Sequence, residues 1–449
     1  MKIKKVDIVY PGSITSPIGP SQIIKRLKDS ENTFIKNNIE LNVFDRKLKH
    51  FVGKKYLKSK IKNKILGSEI LYGYLYILRV EFNRFKFIRD YCKKNRDVDI
   101  VVFDHVTAFI YFTMMNKNKN VKIVLFQHNG GDILEMGKTR FPLMKNSLHL
   151  KLIENIFFNR VDKLDRIVFI SNFAKNFFDA MNPKLKFKTV AIINGIPDID
   201  YQIVDKQNLD GIIKLISVGT VSNRKGQDII LKALSNLDEK TLSMFRLMIV
   251  GQGPEYNEFK QLASDLNIDK NVQFTGNKEQ NEVFELVKKS SVFILMSHSE
   301  GLPISILEAL RVGLPIITTN VGGCPETVIN NNGFVIKPDV SELTQILKNI
   351  NRDELNIMSK NSRELFQKKF KYKSFLENYK SLSKTQLKGL NNDTKELIST
   401  QKNLIETLNR MGPALKEGRG ILDTFKDYFG ADNDILGDLG VNMKNFKVK

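Results

Sequence analysis

The sequence predicts an α/β protein built from two doubly wound parallel sheets and a helical appendage. Three observations support this fold class. Short apolar runs recur along the chain, each run ends in a Gly-containing or polar loop, and several of these loops lead into an apolar stretch with helical spacing. Such an alternation is typical of parallel sheets that bind a ligand at the C-terminal ends of their strands. With 449 residues, the chain is long enough for two domains and a tail.

The first half of the chain predicts one of the two sheets. Its opening strand is expected at residues 6–10, followed by a loop at 14–22 and a helix that starts near Ile23. Further strands are predicted at residues 99–103, 121–126, 166–170 and 189–193. The aromatic segment 70–80 is expected to form a helix that packs on this domain, because no run of the chain reaches the ~18 apolar residues of a membrane span.

The second half repeats the pattern with clearer glycine loops. Strands are predicted at residues 215–220, 247–250, 272–276, 291–296 and 315–320, and helices at 229–234 and 305–310. No single loop is specific by itself. Their repetition over residues 200–350 indicates a second doubly wound domain.

The turn that contains Glu300 is the most informative motif. It lies between the strand predicted at 291–296 and a helix that opens after Pro303, and Glu308 follows inside that helix. A helix start offers unpaired N–H groups and partial positive charge, which suit a diphosphate or a sugar hydroxyl, and Gly301 allows a close approach. On one continuous helix the two carboxylates would be roughly 12 Å apart at ~1.5 Å per residue, so they cannot bind one atom.

The glutamate pair has two interpretations. One is a capped surface helix with two solvated acids, which is the more common situation for an isolated pair. In the other interpretation, Glu308 binds the ribose hydroxyls of a nucleotide and Glu300 faces a transferred sugar. The adjacent cations Arg224 and Lys225 follow another predicted strand and favour the second interpretation, because they can neutralise a leaving diphosphate without a metal.

Together these residues resemble glycosyltransferase family 4. The segments that carry the resemblance are Glu300-Gly301-Leu302-Pro303, Glu308-Ala309, Lys225-Gly226, Asn194-Gly195-Ile196, Gly19-Pro20, and Gly322-Gly323 with Pro325-Glu326. Their order and spacing also agree, and the resemblance covers about residues 1–385. One departure is Thr220, which stands where many members have Arg after the strand glycine, and Arg224 is the expected substitute for that charge.

The resemblance implies a GT-B fold, in which two Rossmann-like domains face a cleft. It implies an N-terminal acceptor-side domain at residues 1–197, rejoined by the helix near 365–385, and a nucleotide-sugar-binding domain at 198–364. The segment 386–449 has no counterpart in the family. Its apolar spacing predicts helices that pack on the enzyme's own surface, self-associate, or dock on a membrane or partner.

The resemblance also implies the site residues. The expected catalytic residues are Lys225, which stabilises the leaving diphosphate, Glu300, which holds the donor sugar, and His128, which orients that sugar or helps to remove the acceptor proton. A lone His at a strand end is more often structural, and His105 is a weaker candidate. Ser171 is expected to cap the following helix. Donor contacts are expected from Gly19, Arg224, Lys225, Asn277, Glu300, Gly301, Leu302, Pro303, Ile304 and Glu308.

Composition restricts the partners and the compartment. The 71 Lys and Arg residues against 49 Asp and Glu give a net charge of +22, which indicates an anionic partner. Nucleic acid is disfavoured because zinc-ligand spacing, a helix-turn-helix and an aromatic RNA-binding signature are all missing from the sequence. The Lys-rich segment 50–66 is expected to lie on an anionic membrane surface, the alternative being a solvated loop. Two distant cysteines, Cys92 and Cys324, favour a cytoplasmic location. The Lys-rich segment adds the expectation of a peripheral position on the inner face of the cell membrane.

The sequence therefore predicts a hexosyl or N-acetylhexosaminyl transferase. It would move a sugar from a nucleoside diphosphate sugar, with a UDP-sugar favoured, to a hydroxyl of a sugar or lipid-linked acceptor in bacterial surface polysaccharide or glycolipid synthesis. Retention follows from the resemblance alone, and neither a metal nor another cofactor is expected. The alternatives are a non-catalytic sugar-nucleotide-binding or scaffold subunit, and a GT-B epimerase or phosphorylase.

Overall fold

The computed structural model describes residues 3–15, 19–46, 69–94, 96–116, 118, 120–134, 138, 147–201 and 211–380, with the backbone alone described at 69–76. Residues up to Lys380 belong to one compact unit. The basic segment 50–66 and the tail 386–449 lie outside the described residues. The expectations of a membrane-binding surface and of helices in the tail therefore stay predictions. In the described part of the chain, no helix combines the length and the apolar character needed to cross a membrane.

The first lobe is built on a six-stranded parallel sheet. Its strands are β1 Lys4–Tyr10, β2 Ile39–Asp45, β3 Ile100–Phe103, β4 Lys122–Gln127, β5 Arg166–Phe169 and β6 Thr189–Ala191. Its helices are α1 Gly19–Asp29, α2 Glu31–Ile35, α3 Glu69–Lys93, α4 Val106–Met115, α5 Leu148–Phe158 and α6 Asn172–Met181. The strand order is β2-β1-β3-β4-β5-β6, so the order reverses between β1 and β3, where ligands of such sheets bind.

The second lobe is built on another six-stranded parallel sheet. Its strands are β7 Ile213–Val218, β8 Phe245–Val250, β9 Val272–Gly276, β10 Val292–Leu295, β11 Ile316–Thr319 and β12 Gly333–Ile336. Its helices are α7 Gln227–Ser235, α8 Glu239–Ser243, α9 Tyr256–Asp265, α10 Gln280–Lys288, α11 Ile304–Arg311, α12 Val340–Asn349 and α13 Arg352–Leu365. The strand order is β12-β11-β10-β7-β8-β9, which reverses between β7 and β10.

Each sheet has helices on both faces, and this explains why its central strands are continuous apolar runs. All four residues of β10 are buried, as are all four of β3. Strands that are covered on both faces need apolar side chains in both directions, whereas a strand with one wet face would alternate. The cores are dominated by aromatic and aliphatic side chains, with Phe103, Phe109, Phe157 and Phe169 in the first lobe and Phe245, Phe259, Ile230 and Ile294 in the second.

The chain returns to the first lobe after α13. The N–H of Ile196 donates to the carbonyl of Phe370 at 2.9 Å, and the N–H of Tyr372 donates to the carbonyl of Ile196 at 2.8 Å. A Cβ at Gly195 would lie 2.7 Å from the carbonyl oxygen of Lys371, so this crossing needs glycine. Residues 372–380 are helical. The ring of Tyr379 in this helix packs edge-on against Phe34 of the first lobe, with 6.0 Å between the ring centroids.

Asp198 is bound by the segment that makes this return. Its carboxylate accepts a hydrogen bond from Arg363 at 2.6 Å and forms an ion pair with Lys371 at 3.1 Å. The domain boundary between residues 197 and 198 and the return of the chain near residues 365–385 stay proposals.

The structure corrects three expectations about the elements. Helix α1 begins at Gly19 and not near Ile23, because Pro20 needs no hydrogen-bond acceptor in the first helical turn and its fixed φ suits that position. Strands β2 and β12 were not predicted. Both lie at an edge of their sheet, and their residues are largely half-buried. Polar residues interrupt the apolar run of β2, as expected for a partly exposed strand, whereas β12 carries the short apolar run 334–336.

Candidate active site

The switch point of the second sheet brings the predicted donor residues together. Lys225 lies in a short 3-10 turn, Asn223–Lys225, shortly after β7, and Glu300 lies in the loop after β10. These two strands are neighbours in the sheet and run parallel, so both loops leave from the same edge. The 75 residues that separate the two side chains in sequence therefore do not separate them in space.

Glu300 is held by a cation and a hydroxyl. The Nζ of Lys225 donates to Oε1 of Glu300 at 2.5 Å, and the Oγ of Ser297 donates to the same oxygen at 2.7 Å. All three residues are buried. Burial alone raises the pKa of Glu300, but the charges of Lys225 and Arg224 and the hydrogen bonds from Lys225 and Ser297 outweigh it, and its pKa lies below the ordinary value. Glu300 is thus an ionised carboxylate in a buried site.

Arg224 lies on the outer side of this pair. Its Nη1 donates to the carbonyl of Ser299 at 2.7 Å and lies 3.5 Å from Oε1 of Glu300. Its side chain is 42% exposed, against 11% for that of Lys225. The site therefore has one deep and one shallow cation beside a single carboxylate, which leaves positive charge for an anionic group.

Gly226 fixes the position of Lys225. Its φ of 67° and ψ of 30° are left-handed, and a Cβ at this position would lie 2.0 Å from the carbonyl oxygen of Met296 at the end of β10. The turn can press this closely on β10 because residue 226 has no side chain. The Lys225-Gly226 pair is thus a physical requirement of the contact between Lys225 and Glu300.

Glu308 lies in α11 and has a different set of partners. Burial raises its pKa, while the charges of Arg311 and Arg26 and a hydrogen bond from Gln280 oppose that rise. Arg26 belongs to α1 of the first lobe, and its Nη1 is buried without a hydrogen-bond partner among the described residues. The two glutamates therefore occupy separate electrostatic environments, in line with separate roles.

The first lobe meets this site through His128. A Cβ on Gly301 would lie 2.4 Å from the carbonyl oxygen of His128 and 2.9 Å from Cδ1 of Ile170, so the two backbones touch at Gly301. Burial lowers the pKa of His128 to about 4, which makes the imidazole neutral at pH 7. Its Nδ1 has no hydrogen-bond partner among the described residues. His128 lines a narrow cavity together with Asp104, Phe126 and Tyr379.

The remaining predicted residues lie around this core. Gly19 is at the start of α1, where a Cβ would lie 3.9 Å from Cγ1 of Ile304 at the start of α11. Leu302 and Pro303 are buried and carry the chain from Glu300 into α11. Asn277 is exposed in the loop after β9, and it is not among the residues that contact Glu300.

Ser171, predicted as a helix cap, and His105, named as a weaker candidate for the site, both lie at helix starts in the structure. The side chain of Ser171 accepts a hydrogen bond from the N–H of Ala174 at 3.1 Å, so the predicted cap of α6 is confirmed. His105 is the N-cap of α4, where its Nδ1 accepts from the N–H of Thr107 at 3.4 Å. This contact gives His105 a structural role at the helix start.

Three residues near the site were given no role from the sequence, although Glu326 was noted there as part of a loop that carries the resemblance. Ser297 binds Glu300, Asp104 follows β3 at the switch point of the first sheet, and Glu326 contacts the first lobe. Ser297 could have been found, because it directly follows the predicted strand 291–296 and lies three residues before Glu300. Burial raises the pKa of Asp104 to about 7, although Arg84 opposes the rise, and no pattern in the sequence indicates this.

The chain is similar to several known proteins. Residues 201–366 match the family model described as glycosyl transferases group 1. The chain is 27% identical over 391 residues to "Uncharacterized glycosyltransferase MJ1178" of Methanocaldococcus jannaschii, which covers 83% of this chain and 95% of that protein. The solved structure of Anabaena Alr3699/HepE in complex with UDP matches with a TM-score of 0.60 at 16% identity, over 85% of this chain and 100% of that chain.

The chain is a GT-B glycosyltransferase. A shorter match, 38% identical over 120 residues, is to the UDP-Gal:alpha-D-GlcNAc-diphosphoundecaprenol alpha-1,3-galactosyltransferase of Escherichia coli, and it covers 26% of this chain and 30% of that protein. The group 1 match contains Lys225, Glu300 and Glu308, whereas His128 lies in the first lobe of the glycosyltransferase. Membership of family 4 and the stereochemistry of transfer stay predictions.

Proposed function

We propose that this glycosyltransferase moves a sugar from a nucleoside diphosphate sugar to an acceptor hydroxyl with retention, in the synthesis of a bacterial surface polysaccharide or glycolipid. The buried contact of Lys225 and Ser297 with Glu300, at the switch point of the second sheet, is the observation that carries the proposal. An ionised carboxylate and two cations at the ends of parallel strands suit a ligand that has both hydroxyl groups and a diphosphate.

The proposed roles of the residues follow from their partners. Lys225 and Arg224 stabilise the diphosphate, which gains negative charge as the bond between the sugar carbon and the phosphate oxygen breaks. When the diphosphate draws Lys225 toward itself, Glu300 is available to accept a hydrogen bond from a sugar hydroxyl. Glu308 holds the ribose hydroxyls. Residues 301–304 lead from Glu300 into α11, and the N–H groups at this helix start add donors for the phosphates.

The proposed transfer needs no basic side chain of the protein to remove the acceptor proton. The bond from the sugar carbon to the phosphate oxygen breaks and its electron pair stays on the phosphate, while the acceptor oxygen forms the new bond on the same face of the sugar. The leaving phosphate takes the acceptor proton. His128 is neutral at pH 7 because burial lowers its pKa to about 4, so in this proposal it orients the sugar or the acceptor as a hydrogen-bonding group and does not act as a cation.

The relatives support the choice of substrates. Alr3699/HepE was solved with UDP, and the printed name of the Escherichia coli relative specifies UDP-galactose and a diphosphoundecaprenol-linked acceptor. We therefore propose a UDP-sugar donor and a sugar or lipid-linked acceptor. An acceptor in a membrane would also give a purpose to the basic segment 50–66, which lies outside the described residues, and to a peripheral location on the inner face of the cell membrane.

A donor panel tests the proposed function. The protein is mixed with UDP-, GDP- and other nucleotide-activated sugars, stabilisation against heat is measured, and the products formed with lipid-linked and free sugar acceptors are analysed for anomeric configuration. We expect stabilisation by UDP-sugars and a product with the configuration of the donor. Stabilisation by none of these donors, or an inverted product, would contradict the proposal.

A further inference from the structure

We propose that Glu326 is a positioning residue that holds the two lobes together next to the reaction site. It lies in the second lobe, yet its carboxylate binds the N-terminus of helix α6 in the first lobe. The inference rests on the proposed function in one respect only, namely that sugar transfer occurs at the interface between the lobes that Glu326 holds together. The contact itself is tested separately from activity.

The contact has the geometry of a helix cap supplied by another domain. The Oε1 of Glu326 accepts a hydrogen bond from the N–H of Phe173 at 2.7 Å, and its Oε2 accepts one from Nδ2 of Asn172 at 3.1 Å. The first N–H groups of a helix have no acceptor within the helix. Ser171 satisfies the N–H of Ala174, so Glu326 satisfies a second one across the interface between the lobes.

The charge of Glu326 also complements helix α6. The N-terminus of a helix carries partial positive charge, which a carboxylate stabilises. Helix α6 has no acidic residue in its own first turn. The negative charge at this end is therefore supplied by the opposite lobe, and it is removed whenever the lobes separate.

The loop of Glu326 is packed tightly on the turn of Glu300. The N–H of Gly323 donates to the carbonyl of Gly301 at 2.6 Å. Gly322 has a φ of 54°, and a Cβ on it would lie 1.7 Å from the carbonyl oxygen of Glu300. No side chain fits between these segments. A displacement of Glu326 is consequently transmitted to the backbone of Glu300 and Gly301.

The same seam contains His128. Gly301 contacts the carbonyl of His128 and the side chain of Ile170, and a Cβ on Gly323 would lie 2.8 Å from Cβ of Ser171. Ile170 and Ser171 lie between β5 and α6, so they immediately precede the helix end that Glu326 binds. Glu326 thus closes the interface at which the predicted donor residue Glu300 and the predicted sugar-orienting residue His128 approach each other.

The test uses three single variants of the full chain and the double variant Glu326→Ala with Asn172→Ala. Glu326→Ala removes both acceptors, Glu326→Gln keeps one acceptor oxygen but loses the charge, and Asn172→Ala removes the second donor. Glu354→Ala is the matched control, because Glu354 is an exposed acid in the first turn of α13, another helix of the second lobe. For each variant we would measure kcat, KM for the donor, the Kd for UDP and the thermal unfolding temperature.

We expect Glu326→Ala to lower kcat about tenfold while the Kd for UDP stays within about twofold of the wild-type value, because the reacting groups are misaligned but the second lobe is intact. Glu326→Gln should recover part of the loss, and Asn172→Ala should add little in the Glu326→Ala background. The Glu354→Ala control should match the wild type. An unchanged kcat in Glu326→Ala, or an equal loss of UDP binding, would overturn the proposal.

Hydrogen exchange tests the contact without turnover. In the wild type the amide of Phe173 is hydrogen-bonded to Glu326, so exchange in the segment 171–175 should be about tenfold faster in Glu326→Ala and unchanged in Glu354→Ala. Unchanged exchange in Glu326→Ala would overturn the proposal that Glu326 holds the two lobes together. If the wild type transfers no sugar from any donor but this exchange difference is found, the proposed function fails and the contact between the lobes stands.

Discussion

The two sheets place different chemistry at the point where their strand order reverses. In the second lobe this point carries Lys225 and Glu300, a buried ion pair supported by Ser297. In the first lobe it carries Asp104, whose Oδ1 is buried without a partner among the described residues. The reversal of strand order thus carries a charged, hydrogen-bonded site in the second lobe and, in the first lobe, a carboxyl group with one buried oxygen that has no hydrogen-bond partner among the described residues.

The difference indicates how the work is divided between the lobes. The second lobe, which we propose to bind the diphosphate, is preorganised by fixed hydrogen bonds and by glycines that permit close packing, so that little rearrangement is needed when an anion binds. The first lobe keeps polar atoms such as His128 Nδ1 and Tyr379 Oη without partners among the described residues. These groups are suited to a neutral hydroxyl-bearing acceptor, for which unpaired hydrogen-bonding atoms provide specificity.

The largest effect is expected when the ion pair between Lys225 and Glu300 is broken. Lys225→Ala should reduce kcat about 100- to 1000-fold, because the leaving diphosphate loses its deepest cation. It should also lower the free energy of unfolding by about 3 kcal/mol, since Glu300 is left buried without its ion-pair partner. Steady-state kinetics and urea denaturation measure the two effects.

The matched control for this variant is Lys232→Ala. Lys232 pairs with Asp228 at 2.9 Å on the same lobe, but its side chain is 48% exposed, so we expect a change of less than about 1 kcal/mol and a normal kcat. A Lys225→Ala enzyme with wild-type kcat would show that the pair is structural.

A smaller effect is expected for the second glutamate. Glu308→Ala should weaken the binding of UDP about tenfold, because the ribose loses its acceptor, and kcat at saturating donor should change less. Isothermal titration with UDP and kinetics at several donor concentrations separate these effects. Glu364→Ala, at an exposed acid of α13, is the control. Unaltered UDP affinity in Glu308→Ala would show that the nucleotide does not bind at Glu308 of α11.

The smallest effect concerns the first lobe and depends on pH. Folding raises the pKa of Asp104 from an ordinary value of 3.8 to about 7, so between these values the folded protein holds a proton that the unfolded chain has released. Stability therefore falls as the pH rises from about 4 to about 7. A shift of this size corresponds to ~4 kcal/mol at full effect, but Asp104 is only half-buried. Asp104→Asn should therefore raise the free energy of unfolding by about 2 kcal/mol at pH 8 and change it little at pH 4.

Denaturation at both pH values measures this effect. Asp97→Asn is the control, because that side chain is 97% exposed and should be neutral at either pH. If Asp104→Asn is destabilising at pH 8, the carboxylate is ionised and bound by partners, and the contrast between the two lobes does not hold.

The sequence predicted the inner strands and the elements around the site with good accuracy. Residues 291–296 and 215–220 were expected as strands because a strand covered on both faces is apolar throughout. β10 lies within the first range, and β7 overlaps the second but begins and ends two residues earlier. Helix α11 was expected after Pro303, where the structure has it. The edge strand β2 was missed because its partial exposure admits polar residues that interrupt the apolar run. The edge strand β12 was missed although residues 334–336 are apolar.

Sequence alone determined which residue types are present and which loops carry them, since hydrophobic periodicity and glycine positions are local properties of the chain. Tertiary structure decided which side chains meet. Lys225 reaches Glu300 because β7 and β10 are neighbours across a reversal of strand order, and Glu326 reaches Phe173 because the two lobes touch at Gly301. These pairs are 75 and 153 residues apart in sequence, and contacts of that separation depend on packing that no local pattern encodes.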